Sequence, residues 1–129
     1  MSSIPYNTLC FLQDTSNFNL TLTAFRLAEE FPLAQVTHLD KNISIQFSDW
    51  KIELHLADEP FVAEESMDIA EYFADCPRSA EIAQCTRRVE IGGDPDPNMD
   101  HFNDFVYLCQ VLEKFQGVIL FDPELGQLV

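Results

Sequence analysis

The sequence predicts an α+β fold, a largely antiparallel sheet with two to three helices packed on it. Strand-like and helix-like segments interleave along the 129 residues, and three consecutive strand patterns form a β-meander at about 36–57. Strands joined by short turns must be antiparallel, so a purely parallel sheet does not fit this meander. The predicted order is β-α-β-β-β-α-β-α-β, in a single globular domain over 1–129.

The first half of the chain supplies a strand, a helix and the meander. Thr8 to Leu12 is a short apolar run that predicts a strand. Apolar residues at helical spacing predict a helix over about 19–31, and Pro32 ends it because the residue before a proline is held out of helical geometry. The meander then combines a strand at 36–39 with a hairpin over 43–56.

Strict alternation of apolar and polar residues defines this hairpin. A two-residue turn at Ser48-Asp49 puts apolar residues opposite apolar residues on one face and polar residues opposite polar residues on the other. One register therefore satisfies both faces. The predicted cross-strand pairs are Phe47 with Trp50, Ile45 with Ile52, Ile43 with Leu54, Gln46 with Lys51, and Ser44 with Glu53.

A second helix is predicted over 61–74, with Pro60 near its first turn. Helical spacing assigns its buried side to a set of apolar residues. This set is Ala63, Met67, Ala70 and either Phe73 or Ala74. A short helical turn at 79–84 and a strand over 86–91, ended by Gly92-Gly93, follow.

The last helix and strand hold the largest concentration of apolar residues in the chain. The helix is predicted from about Pro97 to Gln116, because Asp96 is a good N-cap and proline suits the first helical position. The continuous apolar run at 118–121 then predicts a strand that is covered on both faces.

The charge limits the classes of partner. Twenty-two acidic residues oppose seven basic ones, which gives a formal net charge of −15. Nucleic acid and anionic membrane surfaces need a basic binding face, so neither is an expected partner. A basic protein is the electrostatically complementary partner. The alternative is that acidity only keeps the protein soluble, as in many cytosolic bacterial proteins.

Cysteine usage and hydropathy predict a cytoplasmic protein. The four cysteines, Cys10, Cys76, Cys85 and Cys109, form no CxxC motif and have no histidine at zinc-finger spacing, so reduced thiols are expected. The N-terminal segment lacks the basic and apolar regions of a signal peptide. Apolar windows are too short for a membrane-spanning helix.

Acidic residues form a stripe along the second predicted helix. Their spacing of i, i+4, i+7 and i+11 places them on one face, and no lysine or arginine occurs between Ile52 and Pro77. A solvated helix face usually mixes both signs of charge, so this stripe predicts a surface for a basic partner protein. The predicted contact residues are Glu64, Glu65, Asp68, Glu71 and Asp75.

A second acidic segment, 94–104, raises the alternative of a divalent-metal site or a metal-dependent enzyme. Acidic and amide side chains at 94, 96, 98 and 100 resemble the first ligands of a calcium loop, but Met99 and Phe105 stand where an EF-hand needs Gly and Glu. Oxygen ligands would suit Ca²⁺, Mg²⁺ or Mn²⁺. The candidate ligands are Asp94, Asp96, Asp100, His101 and Asp104. A capped helix start also explains this segment.

No motif identifies a catalytic residue. The chain contains no nucleophile elbow, phosphate-binding loop, dinucleotide fingerprint or HExxH sequence, which lowers the odds of an enzyme without excluding one. The leading hypothesis is a small acidic protein-binding module. By size and charge alone it is similar to immunity-type or inhibitory proteins. Self-association as a structural protein without catalytic function is the third hypothesis, and exposed Phe or Trp in a contiguous patch would favour it.

Overall fold

The computed structural model describes residues 6–129. Seven strands form one sheet, and four helices pack on it. The strands are β1 (Thr8–Leu12), β2 (Gln35–Leu39), β3 (Asn42–Gln46), β4 (Lys51–Ala57), β5 (Arg87–Gly93), β6 (Val118–Asp122) and β7 (Gln127–Leu128). The helices are α1 (Leu20–Glu30), α2 (Pro60–Tyr72), α3 (Ser79–Ile82) and α4 (Phe102–Glu113). The start of the N-terminal segment, 1–5, lies outside the described residues.

The sheet is antiparallel throughout, in the order β2-β3-β4-β5-β1-β6-β7. The α+β prediction and the meander β2-β3-β4 are confirmed. The predicted register of the hairpin is also confirmed, with Ile45 opposite Ile52 and Ser44 opposite Glu53. The Phe47 N–H donates to the Trp50 carbonyl at 2.8 Å, which closes the two-residue turn.

The two faces of the sheet are covered differently. Helices α1 and α4 cover one face and enclose the larger core, which includes Leu27, Ile45 and Leu112. Helices α2 and α3 cover the other face around β1 and β6, over a smaller core that includes Phe11 and Phe121. On this second face, β3 and β4 present polar side chains instead. The apolar run of β6 contributes to both cores, as predicted for a strand covered on both faces.

Helix α4 begins later than predicted, at Phe102 and not near Pro97, and it ends at Glu113. Two prolines at 95 and 97 hold the preceding residues out of helical geometry. Met99 has a φ of 58°, which also interrupts a right-handed helix. Asp96 is consequently not the N-cap of α4, a position that His101 occupies.

The predicted buried side of α2 is wrong at Met67, which is 55 % exposed. Val62 and Ser66 are the buried residues of this helix, with Ile69 and Phe73 packed against the smaller core. A serine in this seam is unexpected from hydropathy. Its hydroxyl donates to the Val62 carbonyl at 2.8 Å, so the helix itself satisfies the buried polar group.

Two further differences concern the strand ends. Gly92 and Gly93 continue β5 and pair with Glu53 and Ile52, so they do not end the strand as predicted. A Cβ on Gly93 would lie 2.7 Å from the Trp50 ring, so glycine lets the indole pack on the backbone. The short strand β7 was not predicted. None of the helices in the described residues has the length and apolar content to cross a bilayer.

Candidate functional site

All five predicted contact residues on and beside α2 are exposed in the structure. They are Glu64, Glu65, Asp68, Glu71 and Asp75. Along the helix, Glu64, Asp68 and Glu71 lie opposite the buried seam of Val62 and Ser66, because 3.6 residues complete one turn. We name these five residues the acidic surface of α2. Asp75 lies beyond the end of the helix at Tyr72, so helical spacing does not place it on this face as predicted.

One member of the acidic surface is already paired. The Arg88 guanidinium reaches Glu65 at 2.5 Å and Glu90 at 2.8 Å, and only 7 % of the arginine side chain is exposed. Arg88 therefore fastens α2 to strand β5. The four other members make no ion pair within residues 6–129. Their carboxylates remain available to an external partner.

Apolar side chains are interspersed with these acids. Tyr72 is 82 % exposed, and Met67 and Phe61 are also exposed on the same helix. Aromatic residues and methionine are enriched where protein surfaces meet, because each buries a large contact area. The sequence interpretation missed this feature because it assigned Met67 to the core. The helical phase of Val62 and Ile69 was the signal that would have placed it outside.

The second predicted site, 94–104, is held together by Asp96. Its carboxylate accepts a hydrogen bond from the Tyr6 hydroxyl and from the backbone N–H groups of Asp100 at 3.1 Å and His101 at 3.0 Å. Desolvation alone would raise the pKa of Asp96. The hydrogen bonds from Tyr6 and from the His101 N–H outweigh it and lower that pKa.

His101 connects this segment to the hairpin. Its Nδ1 lies 2.9 Å from Asp104 Oδ2, and its Nε2 lies 3.0 Å from Asp49 Oδ1 at the β3–β4 turn. The ring stacks on the Trp50 indole, with centroids 4.6 Å apart and planes within 8°. Desolvation lowers the pKa of His101, but the two carboxylates raise it further, so the net shift is upward.

The five candidate ligands of the metal prediction do not converge. Asp94 turns towards β4, where its carboxylate accepts from the Lys51 N–H at 3.2 Å and its carbonyl accepts from Trp50 Nε1 at 2.7 Å. In the part of the chain that the structure describes, no three acidic, histidine or cysteine side chains are grouped to hold an ion. Binding of Ca²⁺, Mg²⁺ or Mn²⁺ stays a prediction, which calorimetric titration of each ion would test.

Sequence interpretation did not anticipate a groove of about 590 Å³ on the uncovered part of the sheet. Lys51, Glu53 and His55 of β4 line one side, and Arg88 and Glu90 of β5 line the other. Gly92 lies opposite Glu53 and leaves the centre of the groove without a side chain. The alternation of polar residues in the hairpin was the available signal for this face.

The four cysteines do not contribute a reactive group to any of these surfaces. All four are buried as free thiols. Burial raises the pKa of Cys85 to about 11 and that of Cys109 to about 12, and it also raises the pKa of Cys10. A thiol with a raised pKa is a poor nucleophile near neutral pH.

Comparisons with known proteins do not identify a function for this chain. No protein-family model, curated protein or solved structure matches it. The exposure, charge and contacts of the chain's own residues are therefore the basis for proposing a function.

Proposed function

We propose that this protein is a binding module that holds a basic protein partner through the acidic surface of α2. The observation that carries the proposal is the coincidence of exposed acids with exposed Met67 and Tyr72 on one helix. Acids alone would serve solubility equally well. Exposed apolar side chains on either side of the acids add the methionine and aromatic contacts that are enriched in protein interfaces.

The charge of the whole molecule supports the same proposal. A net charge of −15 attracts a basic partner over a distance of about one Debye length, roughly 8–10 Å. The unpaired carboxylates on α2 then orient the encounter. An inhibitory or immunity-type role in the cytoplasm fits a small acidic binder of this kind. The role, the compartment and the partner belong to the proposal.

Charge reversal on α2 tests the proposal directly. We would immobilise the wild type and a Glu64→Lys, Asp68→Lys, Glu71→Lys variant, capture partners from lysate, and identify the enriched proteins. The purified partner is then titrated against both. The variant should weaken binding by about tenfold or more, and added salt should weaken wild-type binding.

A matched control separates location from net charge. The variant Glu29→Lys, Glu113→Lys, Glu124→Lys changes the charge equally at three exposed positions outside α2. It should bind the partner nearly as well as the wild type. Equal losses in both variants, or binding that salt leaves unchanged, would contradict an interface at α2.

Self-association is a second candidate, favoured by the edge strand β2. Its five residues, Gln-Val-Thr-His-Leu, include no charge and no proline, and Leu39 is 75 % exposed. Leu39 pairs with Asn42 beside a two-residue turn, so the N–H groups of Val36 and His38 point outward. Light scattering over a concentration series tests this candidate. A dimer that His38→Pro disrupts would support pairing at this edge.

A further inference from the structure

A pocket of about 470 Å³ lies where the end of α1 meets the β3–β4 turn. It is on the face of the sheet covered by α1 and α4, opposite the acidic surface of α2. Its apolar lining includes Phe31, Leu33 and Phe47, and its polar lining consists of Glu30, Ser48, His101 and Asp104. An inference about this pocket therefore does not depend on the proposed function.

Aromatic rings form the floor of the pocket. Phe31 and Phe47 meet edge to face with centroids 5.2 Å apart. The His101 ring lies 5.5 Å from Phe47 and is supported from beneath by Trp50. Phe31 belongs to the main core and Phe47 packs against that core, so neighbouring side chains hold the floor in place. Such a surface accepts an aliphatic chain or the face of a planar cation.

The rim of the pocket is negative. The Asp104 carboxylate engages His101 through Oδ2, and Oδ1 has no hydrogen bond in the described residues. Helix α1 ends at Glu30 without a basic residue in its last turn, so the partial negative charge of its C-terminus adds to that of Glu30. The His101 imidazole does not make the rim positive, because two carboxylates, those of Asp49 and Asp104, offset any positive charge on the ring.

We propose that this pocket binds an arginine side chain presented by a protein partner. The aliphatic part of the arginine would lie on Phe31, Phe47 and the fully exposed Leu33. Its guanidinium would reach Asp104 and Glu30. Arginine fits better than lysine, because a planar guanidinium can stack on aromatic rings while donating to two acceptors. The side chain of lysine offers only a compact ammonium.

Amide-shift titrations of the ¹⁵N-labelled protein test the assignment. The probe is Nα-acetyl-arginine amide, and the matched control is Nα-acetyl-citrulline amide, which has nearly the same shape without the charge. We expect a weak dissociation constant of about 1–10 mM for arginine and at least about fivefold weaker binding of citrulline. The shifts should cluster at 30–34, 47–48 and 101–104. Equal effects of the two probes, or shifts elsewhere, would overturn the proposal.

Two variants locate the charge. Glu30→Gln should weaken arginine binding by about threefold, whereas Glu29→Gln, one residue earlier on the same helix, should leave it unchanged. Both residues are exposed, so neither change should unfold the protein. Equal effects of the two variants would mean that only net charge matters and would overturn the site.

Two further probes identify the source of the cation. A Gly-Gly-Arg-Gly-Gly peptide should bind at least as tightly as free agmatine, because the proposal assigns the arginine to a protein. Agmatine binding tighter by about tenfold would reassign the pocket to a small organic cation. Binding of Nα-acetyl-lysine amide as tight as that of the arginine probe would refute the choice of arginine.

Discussion

The acidic surface of α2 and the segment 94–104 are both rich in carboxylates, but the structure uses them in opposite ways. Asp96 accepts hydrogen bonds from a tyrosine and from two backbone N–H groups. Asp68 and Glu71 are exposed and unpaired in the described residues. The density of acidic residues therefore does not identify a site. The informative property is whether the carboxylate oxygens already have internal donors.

Trp50, which packs beside the 94–104 segment, differs in the same way from two exposed side chains of α2. Trp50 anchors the 94–104 segment, is 2 % exposed, and donates from Nε1 to the Asp94 carbonyl. On α2, Met67 is 55 % exposed and Tyr72 is 82 % exposed. Substitution of Trp50 and substitution of either of these two side chains should therefore have very different effects on stability.

The largest expected contrast in the free energy of unfolding is between truncation of Trp50, beside the 94–104 segment, and truncation of Met67 on α2. Trp50→Ala should lower the free energy of unfolding by about 3–5 kcal/mol, because it empties a packed site against Gly93, Tyr6 and His101. Met67→Ala should change it by less than about 0.5 kcal/mol. Urea denaturation of both variants measures the difference. A large loss for Met67→Ala would mean that this residue is part of the core.

Removing the link between α2 and the sheet should have an intermediate effect. Arg88→Met keeps much of the buried stem but loses the contacts to Glu65 and Glu90. We expect a loss of about 1–2 kcal/mol, because both carboxylates are partly exposed and can be hydrated after the change. Arg88→Met should increase the amide hydrogen-exchange rate more in α2 than in α1.

Arg87→Met is the control for this prediction. The neighbouring arginine makes no ion pair in the part of the chain described, so its loss should cost less than about 0.5 kcal/mol. Comparable losses from the two substitutions would show that Arg88 acts through general charge and not through its contacts. Unchanged exchange in α2 would argue that other contacts hold the helix.

Removing one carboxylate from each region should shift thermal stability in different directions. Asp96→Ala should lower the melting temperature by several degrees, because the Tyr6 hydroxyl and two N–H groups lose their acceptor. Asp68→Ala should leave it unchanged or raise it slightly, since it relieves repulsion from Glu64 and Glu71. Calorimetry at neutral pH measures both.

Acidification provides an internal check on the Asp96 result. The pKa of Asp96 is lowered in the folded state, so its stabilisation is present above the unfolded pKa of about 3.9 and is lost as pH falls through the folded pKa. The gap between wild type and Asp96→Ala should close in that acidic range. A gap that persists there would show that packing, and not the carboxylate, is responsible.

The sequence was most informative where its pattern has one simple period. The alternation in 43–56 predicted the hairpin register, because a slip by one residue would expose Ile43, Ile45 and Ile52. The buried side of helix α2 was harder to predict, because it includes Ser66, whose hydroxyl donates a hydrogen bond within the helix. The prolines before α4 suggested that the helix starts near Pro97, but it starts at Phe102, because the positive φ of Met99 interrupts a right-handed helix.

The contacts that distinguish the two acidic regions were not readable from one sequence. Tyr6 and Asp96 are 90 positions apart, His101 and Asp49 are 52 apart, and Arg88 and Glu65 are 23 apart. No local spacing rule connects such pairs, because the strand order brings them together. Residue types indicated both acidic regions, while only the fold assigned their hydrogen-bond partners.

The smallest expected effect is the pH dependence that His101 confers on stability. Asp104 and Asp49 outweigh desolvation and raise its pKa in the folded state. Its stabilisation should therefore be fully present below the unfolded pKa of about 6.5 and lost as pH rises through the higher folded pKa. Urea unfolding from pH 5.5 to 8.5 should show wild type and His101→Gln converging at the alkaline end. His38→Gln is the control, because the His38 ring contacts the Asp40 carbonyl and not a carboxylate. A constant or widening difference for His101→Gln would indicate that stacking on Trp50, and not the two ion pairs, connects α4 to the hairpin.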